Sequence, residues 1–252
     1  MDRKKAAVEL LKSFEAKDPK VAERYISATR YVQHNLGAAD GRAGFLQLLN
    51  MPVPFKVNAV RAFQDGDFVF THTDYDFFGP KIGFDVLRFE GDQAVEHWDN
   101  LTVTPDTLNP SDRSMLDGPT EVRDLDKTLE NKKLVGGFVI EVLVNGDYSQ
   151  ISKYFDGNKY IQHNPLIGDG IPSLIAGLSD LAKQGMGIVY TKARLVMGEG
   201  NFVLAMSEGR LGPHPTAYYD LFRVENGKIA EHWDVIQAIP PKAEWKNSNG
   251  KF

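Results

Sequence analysis

Val95-Glu96-His97-Trp98-Asp99 returns later in the chain as Ala230-Glu231-His232-Trp233-Asp234. Each copy closes a pattern of apolar run, turn, apolar run. The first begins Asp85-Val86-Leu87-Arg88-Phe89-Glu90-Gly91-Asp92, the second Asp220-Leu221-Phe222-Arg223-Val224-Glu225-Asn226-Gly227. Two apolar runs around Gly91-Asp92 or Asn226-Gly227 read as β-hairpins, Asn-Gly being a strong two-residue hairpin signal. One hairpin is therefore written twice, and each copy ends in Glu-His-Trp-Asp.

The surrounding sequence repeats in the same order. Ala7, Leu10, Leu11 and Phe14 form one stripe of an amphipathic helix, and Gly136, Val139, Ile140 and Leu143 rebuild it. Asp18-Pro19 caps and restarts a short helix, and Asn145-Gly146-Asp147 rebuilds that break. Tyr31-Val32-Gln33-His34-Asn35 recurs as Tyr160-Ile161-Gln162-His163-Asn164-Pro165. A brief helix around Phe45 to Leu49 has a longer counterpart at Leu174 to Ala182, and strand-like runs then lead into each hairpin. The offset is 129 residues for Asp18 and Tyr31 (to Asp147 and Tyr160) and 135 for His97 (to His232). Six residues are thus inserted between the motifs, in the helix-and-loop region.

This is a duplication of a whole domain rather than a short solenoid period. The expected boundaries are 1–104 for the first domain, 105–122 for a Pro-, Asp-, Ser- and Thr-rich linker, and 123–252 for the second. Helices followed by hairpin-linked strands mean α+β, with helices on one face of an antiparallel sheet.

The 252 residues carry a net charge of -5, against a nucleic-acid partner. Cysteine is absent, which excludes disulfides, thiolate metal sites and cysteine nucleophiles and fits a reducing cytoplasm. The start of the chain does not read as a signal peptide, and no apolar run is long enough for a membrane span.

Side chains alternate along a strand, so His97 and Asp99 share a face, with Glu96 and Trp98 on the other. A plain two-residue turn puts Val86 across from His97 and Phe84 across from Asp99; in the second copy Leu221 faces His232 and Tyr219 faces Asp234. Trp98, Trp233, Phe222, Asp85 and Leu87 are expected on the opposite face. Titratable groups among apolar neighbours need partners or water. The bland reading is a His–Asp pair that only braces the sheet.

Tyr160 to Pro165 and Asp220 to Gln237 resemble the SnoaL-like polyketide cyclases, of the nuclear transport factor two-like superfamily. The resemblance spans nearly the whole chain as two tandem copies. It implies two cone-shaped α+β barrels, each a curved antiparallel sheet around helices with a pocket inside. The two cones are expected to pack sheet against sheet as an intramolecular pseudo-dimer, with higher homo-oligomers open. The activity implied is an aldol-type cyclisation or isomerisation of a small-to-medium apolar carbonyl compound, without cofactor or metal. By motif match Asp99 and Asp234 would be the bases. His97, His34, His232 and His163 would bond the carbonyl or enolate oxygen. His72, Asn35, Asn164, Tyr31, Tyr160, Tyr219 and Phe84 would contact the ligand. Met206 stands where the first copy has His72, and Leu36 where the second has Pro165. Two other readings stand beside this one. One is a binding module whose polar groups only orient a small apolar ligand. The other is a metal enzyme with His97, Asp99 and His34 as a two-His-one-carboxylate set.

Overall fold

Asp2 opens the first helix by accepting a hydrogen bond from the Lys5 amide, and α1 runs Arg3–Ala16. The computed structural model describes all 252 residues. It is a mixed α+β structure with two five-stranded sheets and six α-helices, and it divides into two compact units. No helix is long and apolar enough to cross a membrane.

Unit 1 holds residues 1–103 and 240–252. After α1 come α2 (Pro19–Tyr25, capped by Asp18), β1 (Val32–Gln33) and α3 (Gly41–Leu49). Four long strands follow: β2 (Lys56–Asp65), β3 (Phe68–Asp76), β4 (Pro80–Glu90) and β5 (Gln93–Val103). The sheet order is β1-β5-β4-β3-β2, with β1 parallel to β5 and the rest antiparallel. Of the expected α1 stripe, Ala7, Leu10 and Leu11 are buried and Phe14 is half-buried; Ala6, Ala7 and Leu10 join Phe45, Leu49, Val69, Leu87 and Phe89 in one core. Each fully buried leucine there contributes about 1.5–3 kcal/mol.

Unit 2 holds residues 104–239 and repeats the order. Helix α4 (Thr128–Phe138) passes into a π-helical turn at Val139–Val144, followed by a short α5 (Ile151–Tyr154), β6 (Ile161–Gln162) and α6 (Ile171–Lys183). Strands β7 (Ile188–Glu199), β8 (Phe202–Leu211), β9 (His214–Glu225) and β10 (Lys228–Ala238) complete a sheet ordered β6-β10-β9-β8-β7. The inward stripe of this helix differs from expectation. Val135, Phe138, Val139 and Val142 are buried, while Ile140 is 50% exposed. Gly136 has no side chain to bury, and Phe138 beside it fills the core; the wider π turn then brings Val142 round to the same side.

Two stretches belong elsewhere than the expected boundaries. Residues 104–122 are part of unit 2, and 240–252 are part of unit 1. The segment following each hairpin therefore joins the other half's unit. It does so through specific hydrogen bonds. The Asn109 amide donates to the carbonyls of Gln162 and Ile167, and the Asn249 amide donates to the carbonyl of Gln33. A free-standing spacer would make no such contacts.

The hairpin register also differs. Arg88 of β4 lies opposite Glu96 of β5 but Phe89 opposite Ala94, so Val95 is an extra residue in β5. Ala230 is the extra residue in β10. Such a bulge shifts every later pair by one position. His97 therefore faces Leu87 and Asp99 faces Asp85; His232 faces Phe222 and Asp234 faces Asp220. Asp85, Leu87 and Phe222 stand on the His–Asp face, contrary to expectation, and Trp98 and Trp233 on the other.

Candidate functional site

In each unit the helix-covered face of the sheet carries one His and two Asp at the mid-length of two neighbouring strands. In unit 1 these are His97 and Asp99 from β5 and Asp85 from β4, all at most 8% exposed. The short parallel strand β1 sets Gln33 directly beside His97. The Gln33 side-chain oxygen accepts from the Asn35 backbone N–H at 2.8 Å, which identifies it as the oxygen. His97 Nδ1, at 2.9 Å from that oxygen, is then a donor. Its Nε2 points to Asp85 Oδ1 at 3.3 Å. Asp85 Oδ2 accepts from the Tyr75 hydroxyl at 2.6 Å. The Asn35 amide donates to Asp99 Oδ2.

Unit 2 repeats the arrangement. His232 Nδ1 donates to Gln162 Oε1 at 3.0 Å, and Nε2 lies 3.0 Å from Asp220 Oδ1. The Asn164 amide donates to Asp234 Oδ2 at 2.7 Å. The phenol on the buried carboxylate comes from another strand here: Tyr190 of β7 donates to Asp220 at 3.0 Å.

The two pockets differ in size. In unit 1 the polar cluster closes one end of a cavity of about 250 Å³. The remaining wall is apolar, with Leu10, Leu11, Phe14, Phe45, Phe55 and Phe77 among its residues. In unit 2 the cavity over Asp220, His232 and Asp234 is about 50 Å³. The longer α6 sends Leu174 and Leu178 into it, and Ile188 closes it from β7.

Tyr31 lines the unit 1 cavity; its buried hydroxyl makes no close hydrogen bond, and the neighbouring Gln33 side chain acts on its oxygen as a donor, which opposes the rise in its pKa. Burial raises its pKa well above the ordinary tyrosine value, and the nearby charges of Asp99 and Asp85 raise it further. It is thus a neutral O–H donor throughout the working pH range. Asp234 is also pushed up from the ordinary carboxylate range, first by burial and then by the neighbouring Asp220, against opposing contributions from His232 and the Asn164 amide.

Several expected site residues lie elsewhere. His34 and His163 are on the opposite face of the strand pair. His34 stacks on Trp98 with ring centroids 4.8 Å apart, and His163 on Trp233 at 4.7 Å. The Nε2 atoms face Glu96 at 3.1 Å and Glu231 at 2.8 Å. The Nδ1 atoms face the carbonyls of Gly250 and Ser114. They brace the sheet and its covering segment, and neither lines the cavity over the His–Asp cluster of its unit. His72 and Phe84 stack on each other at 4.4 Å on that same far face, and Tyr219 pairs with Met206 there. The bulge is the physical reason for Phe84 and Tyr219, and strand alternation for His34 and His163. Tyr31 and Asn35 line the unit 1 cavity, Tyr160 lines that of unit 2, and Asn164 bonds its aspartate.

Asp85, Asp220, Gln33, Gln162, Tyr75 and Tyr190 were not singled out by sequence. Asp85 and Asp220 recur at the head of the repeated hairpin, and Gln33 and Gln162 at the centre of the repeated Tyr-x-Gln-His-Asn. That recurrence was the signal available.

The His and two Asp of each unit present donor atoms within 4.8 Å of one another. His34 is not among them, so the expected two-His set does not form. In unit 1 the ammonium of Lys251, 3.8 Å from Asp99 Oδ1, already supplies the neighbouring positive charge. In unit 2 Asp220, His232 and Asp234 are the donor set that a divalent cation would use, the other ring nitrogen of His232 being fixed by Gln162.

No protein-family model matches the chain, and no curated protein does. Among solved structures it is similar to a protein of unknown function with a cystatin-like fold from Xanthomonas campestris, with 20% identity over 46% of this chain and 97% of that chain, at a TM-score of 0.37. An NTF2-like protein of unknown function from Cytophaga hutchinsonii is similar with 11% identity over 38% of this chain and 87% of that chain, at 0.34. A protein provisionally named a SnoaL-like polyketide cyclase, from Shewanella denitrificans, is similar with 17% identity over 39% of this chain and 88% of that chain, also at 0.34.

Proposed function

We propose that unit 1 binds a small apolar carbonyl compound and moves a proton at the carbon next to its carbonyl. The observation that carries this reading is the buried Asp99 at the polar end of an otherwise apolar cavity, with the buried Tyr31 hydroxyl, whose O–H has no close acceptor, among the lining groups. The cavity of about 250 Å³ falls just below the range of about 300–1,000 Å³ usual for drug-sized sites, which favours a ligand of one or two rings. Its aromatic wall favours a flat one.

In this reading Asp99 takes the proton, the C–H electron pair passes into an enolate, and the carbonyl oxygen gains negative charge. Tyr31 donates a hydrogen bond to that oxygen, and a donor aimed at developing charge in a dry site is the strongest single aid available. His97 is held by Gln33 and Asp85 against the same end of the cavity. Asp85, already accepting from Tyr75 and facing His97, is a fixed counter-charge rather than the base. From the enolate, return of the proton to another carbon would be isomerisation. Attack on a second carbonyl of the same molecule would be the aldol cyclisation of SnoaL-like enzymes.

The test is deuterium exchange from D2O into a flat ketone probe such as β-tetralone, with and without Asp99→Asn. Exchange that depends on Asp99 supports the reading. Saturable binding of the ketone without exchange would leave unit 1 as a binding module.

A further inference from the structure

We propose that Lys251 is a positioning residue of the unit 1 site: its ammonium pairs with Asp99 and holds the carboxylate in place, a contact with no counterpart at Asp234 in unit 2. The functional weight of this assignment rests on reading Asp99 as the base; its geometry does not.

Residues 246–251 are clamped along the loop that carries Gln33 and Asn35. The Lys246 amide donates to the Leu36 carbonyl at 2.8 Å, and the Asn247 side chain to the Asn35 carbonyl at 2.8 Å. Asn249 donates to the Gln33 carbonyl at 3.0 Å, and His34 Nδ1 meets the Gly250 carbonyl at 2.9 Å. These contacts lay Lys251 on β5. Its Nζ donates to the Asp99 carbonyl at 2.6 Å and stands 3.8 Å from Asp99 Oδ1, with the side chain 6% exposed. A lysine is rarely buried to this degree without a charge partner. Burial lowers its own pKa, and Asp99 first and Asp85 second oppose that.

The charged and titratable groups around Asp99 are Asp85 from β4, His97 on its own strand, Tyr31 before β1, Tyr75 from β3 and Lys251. Lys251 is the only lysine or arginine among them. The corresponding segment of unit 2 makes the same clamp: Asn109 donates to the Gln162 carbonyl at 2.7 Å, and the Ser114 carbonyl meets His163 Nδ1 at 2.7 Å. Its one basic residue, Arg113, pairs instead with Asp169 at 2.8 Å. Around Asp234 stand Asp220, His232, Tyr160, Tyr190 and Tyr218, and the groups that shift its carboxyl include no lysine or arginine. Two sites with one ancestry of residues thus differ in charge: one His and two Asp with an ammonium in unit 1, without it in unit 2. A buried carboxylate needs a charge partner, and the ammonium supplies one on the strand that carries Asp99.

The experiment is a pH titration of the aspartate side-chain carboxylates by carbon-13 NMR on the full chain, comparing the unsubstituted protein with Lys251→Met, Lys251→Gln and Lys251→Arg. It needs no substrate. Loss of the charge in Lys251→Met and Lys251→Gln is expected to move the Asp99 titration about 1–3 pH units upward, as removal of an adjacent cation does. Lys251→Arg is expected to keep it within half that shift, and Asp234 to stay unmoved in all three. Lys251→Gln keeps a hydrogen-bond donor for the Asp99 carbonyl should Lys251→Met fold poorly. An unmoved Asp99 in both neutral variants would overturn the proposal, as would an equal displacement in Lys251→Arg or a parallel displacement of Asp234. Failure of the proton-transfer reading shows separately, as absence of Asp99-dependent ketone exchange in the unsubstituted protein.

Discussion

Asp234→Asn is expected to stabilise the protein at neutral and alkaline pH and to do little in acid. The oxygens of Asp234 and Asp220 lie within 4.8 Å of one another, and both side chains are buried. Two full charges at that distance repel by about 3.5 kcal/mol at an effective dielectric constant of about 20. The His232 ring, the Tyr190 hydroxyl and the Asn164 amide offset part of this, leaving an expected gain of about 1–2 kcal/mol. The new amide oxygen can keep the bond from Asn164, and its N–H can donate to Asp220, so no buried polar atom is orphaned. The sign follows from the direction of the Asp234 shift, which is upward. A carboxyl whose folded pKa is raised binds its proton more tightly when folded. The folded state therefore loses stability as pH rises from the unfolded value, about 3.9, through the raised folded value. Asparagine carries no such loss. Urea unfolding at pH 4 and at pH 8, followed by circular dichroism, reads the difference. A gain that grows with pH supports the charge argument. A variant less stable than the unsubstituted protein at pH 8, or a gain equal at both pH values, would refute it.

The equivalent change in unit 1 has the opposite sign: Asp99→Asn leaves the Lys251 ammonium buried without its counter-charge and is expected to cost about 3 kcal/mol, recovered in large part by Asp99→Asn with Lys251→Met. His34→Ala removes a buried stacking and hydrogen-bonding brace and is expected to cost about 1–3 kcal/mol in urea unfolding, while leaving ketone exchange within about two-fold. Gln33→Leu frees the His97 ring from its anchored tautomer and takes the acceptor from the Asn35 amide; exchange is expected to fall by up to about 100-fold, with a loss of stability of about 1–3 kcal/mol. Chelation of divalent ions is expected to leave ketone exchange by unit 1 unchanged, because the Lys251 ammonium disfavours a second cation beside Asp99; loss of exchange on chelation, restored by a metal ion, would count against that electrostatic picture.

Much of the architecture was legible because it is written in periods. The α1 stripe, the Asp18 start, the turn at Gly91 and the order of elements all follow from local chemistry, much of which the repeated sequence pattern states twice. The cross-strand partners were not legible. A single bulged residue, Val95 or Ala230, exchanges the faces on which the partners of His97 and His232 stand, and nothing in its own identity announces it. Asp85 and Asp220 are visible as repeats, yet the plain two-residue turn puts Asp85 on the wrong face for that reason. His34 and His163 were attached to the site by motif resemblance. Alternation along Tyr31-Val32-Gln33-His34-Asn35 already separated them from Tyr31, Gln33 and Asn35, which do reach it. Lys251 could not be found by local reading, since it meets Asp99 across 152 residues of sequence.

Deuterium incorporation into β-tetralone by the full chain, compared with Asp99→Asn/Lys251→Met and with Asp234→Asn, tests the central claim most directly. The double variant removes the base and its cation together, so that the fold survives the comparison. Exchange is expected to fall by about 10²–10⁴-fold in the Asp99 variant, the usual contribution of a positioned base, and to persist in Asp234→Asn, whose cavity of about 50 Å³ admits no such ketone. Exchange undiminished in the folded Asp99 variant would contradict the assignment of Asp99 as the base.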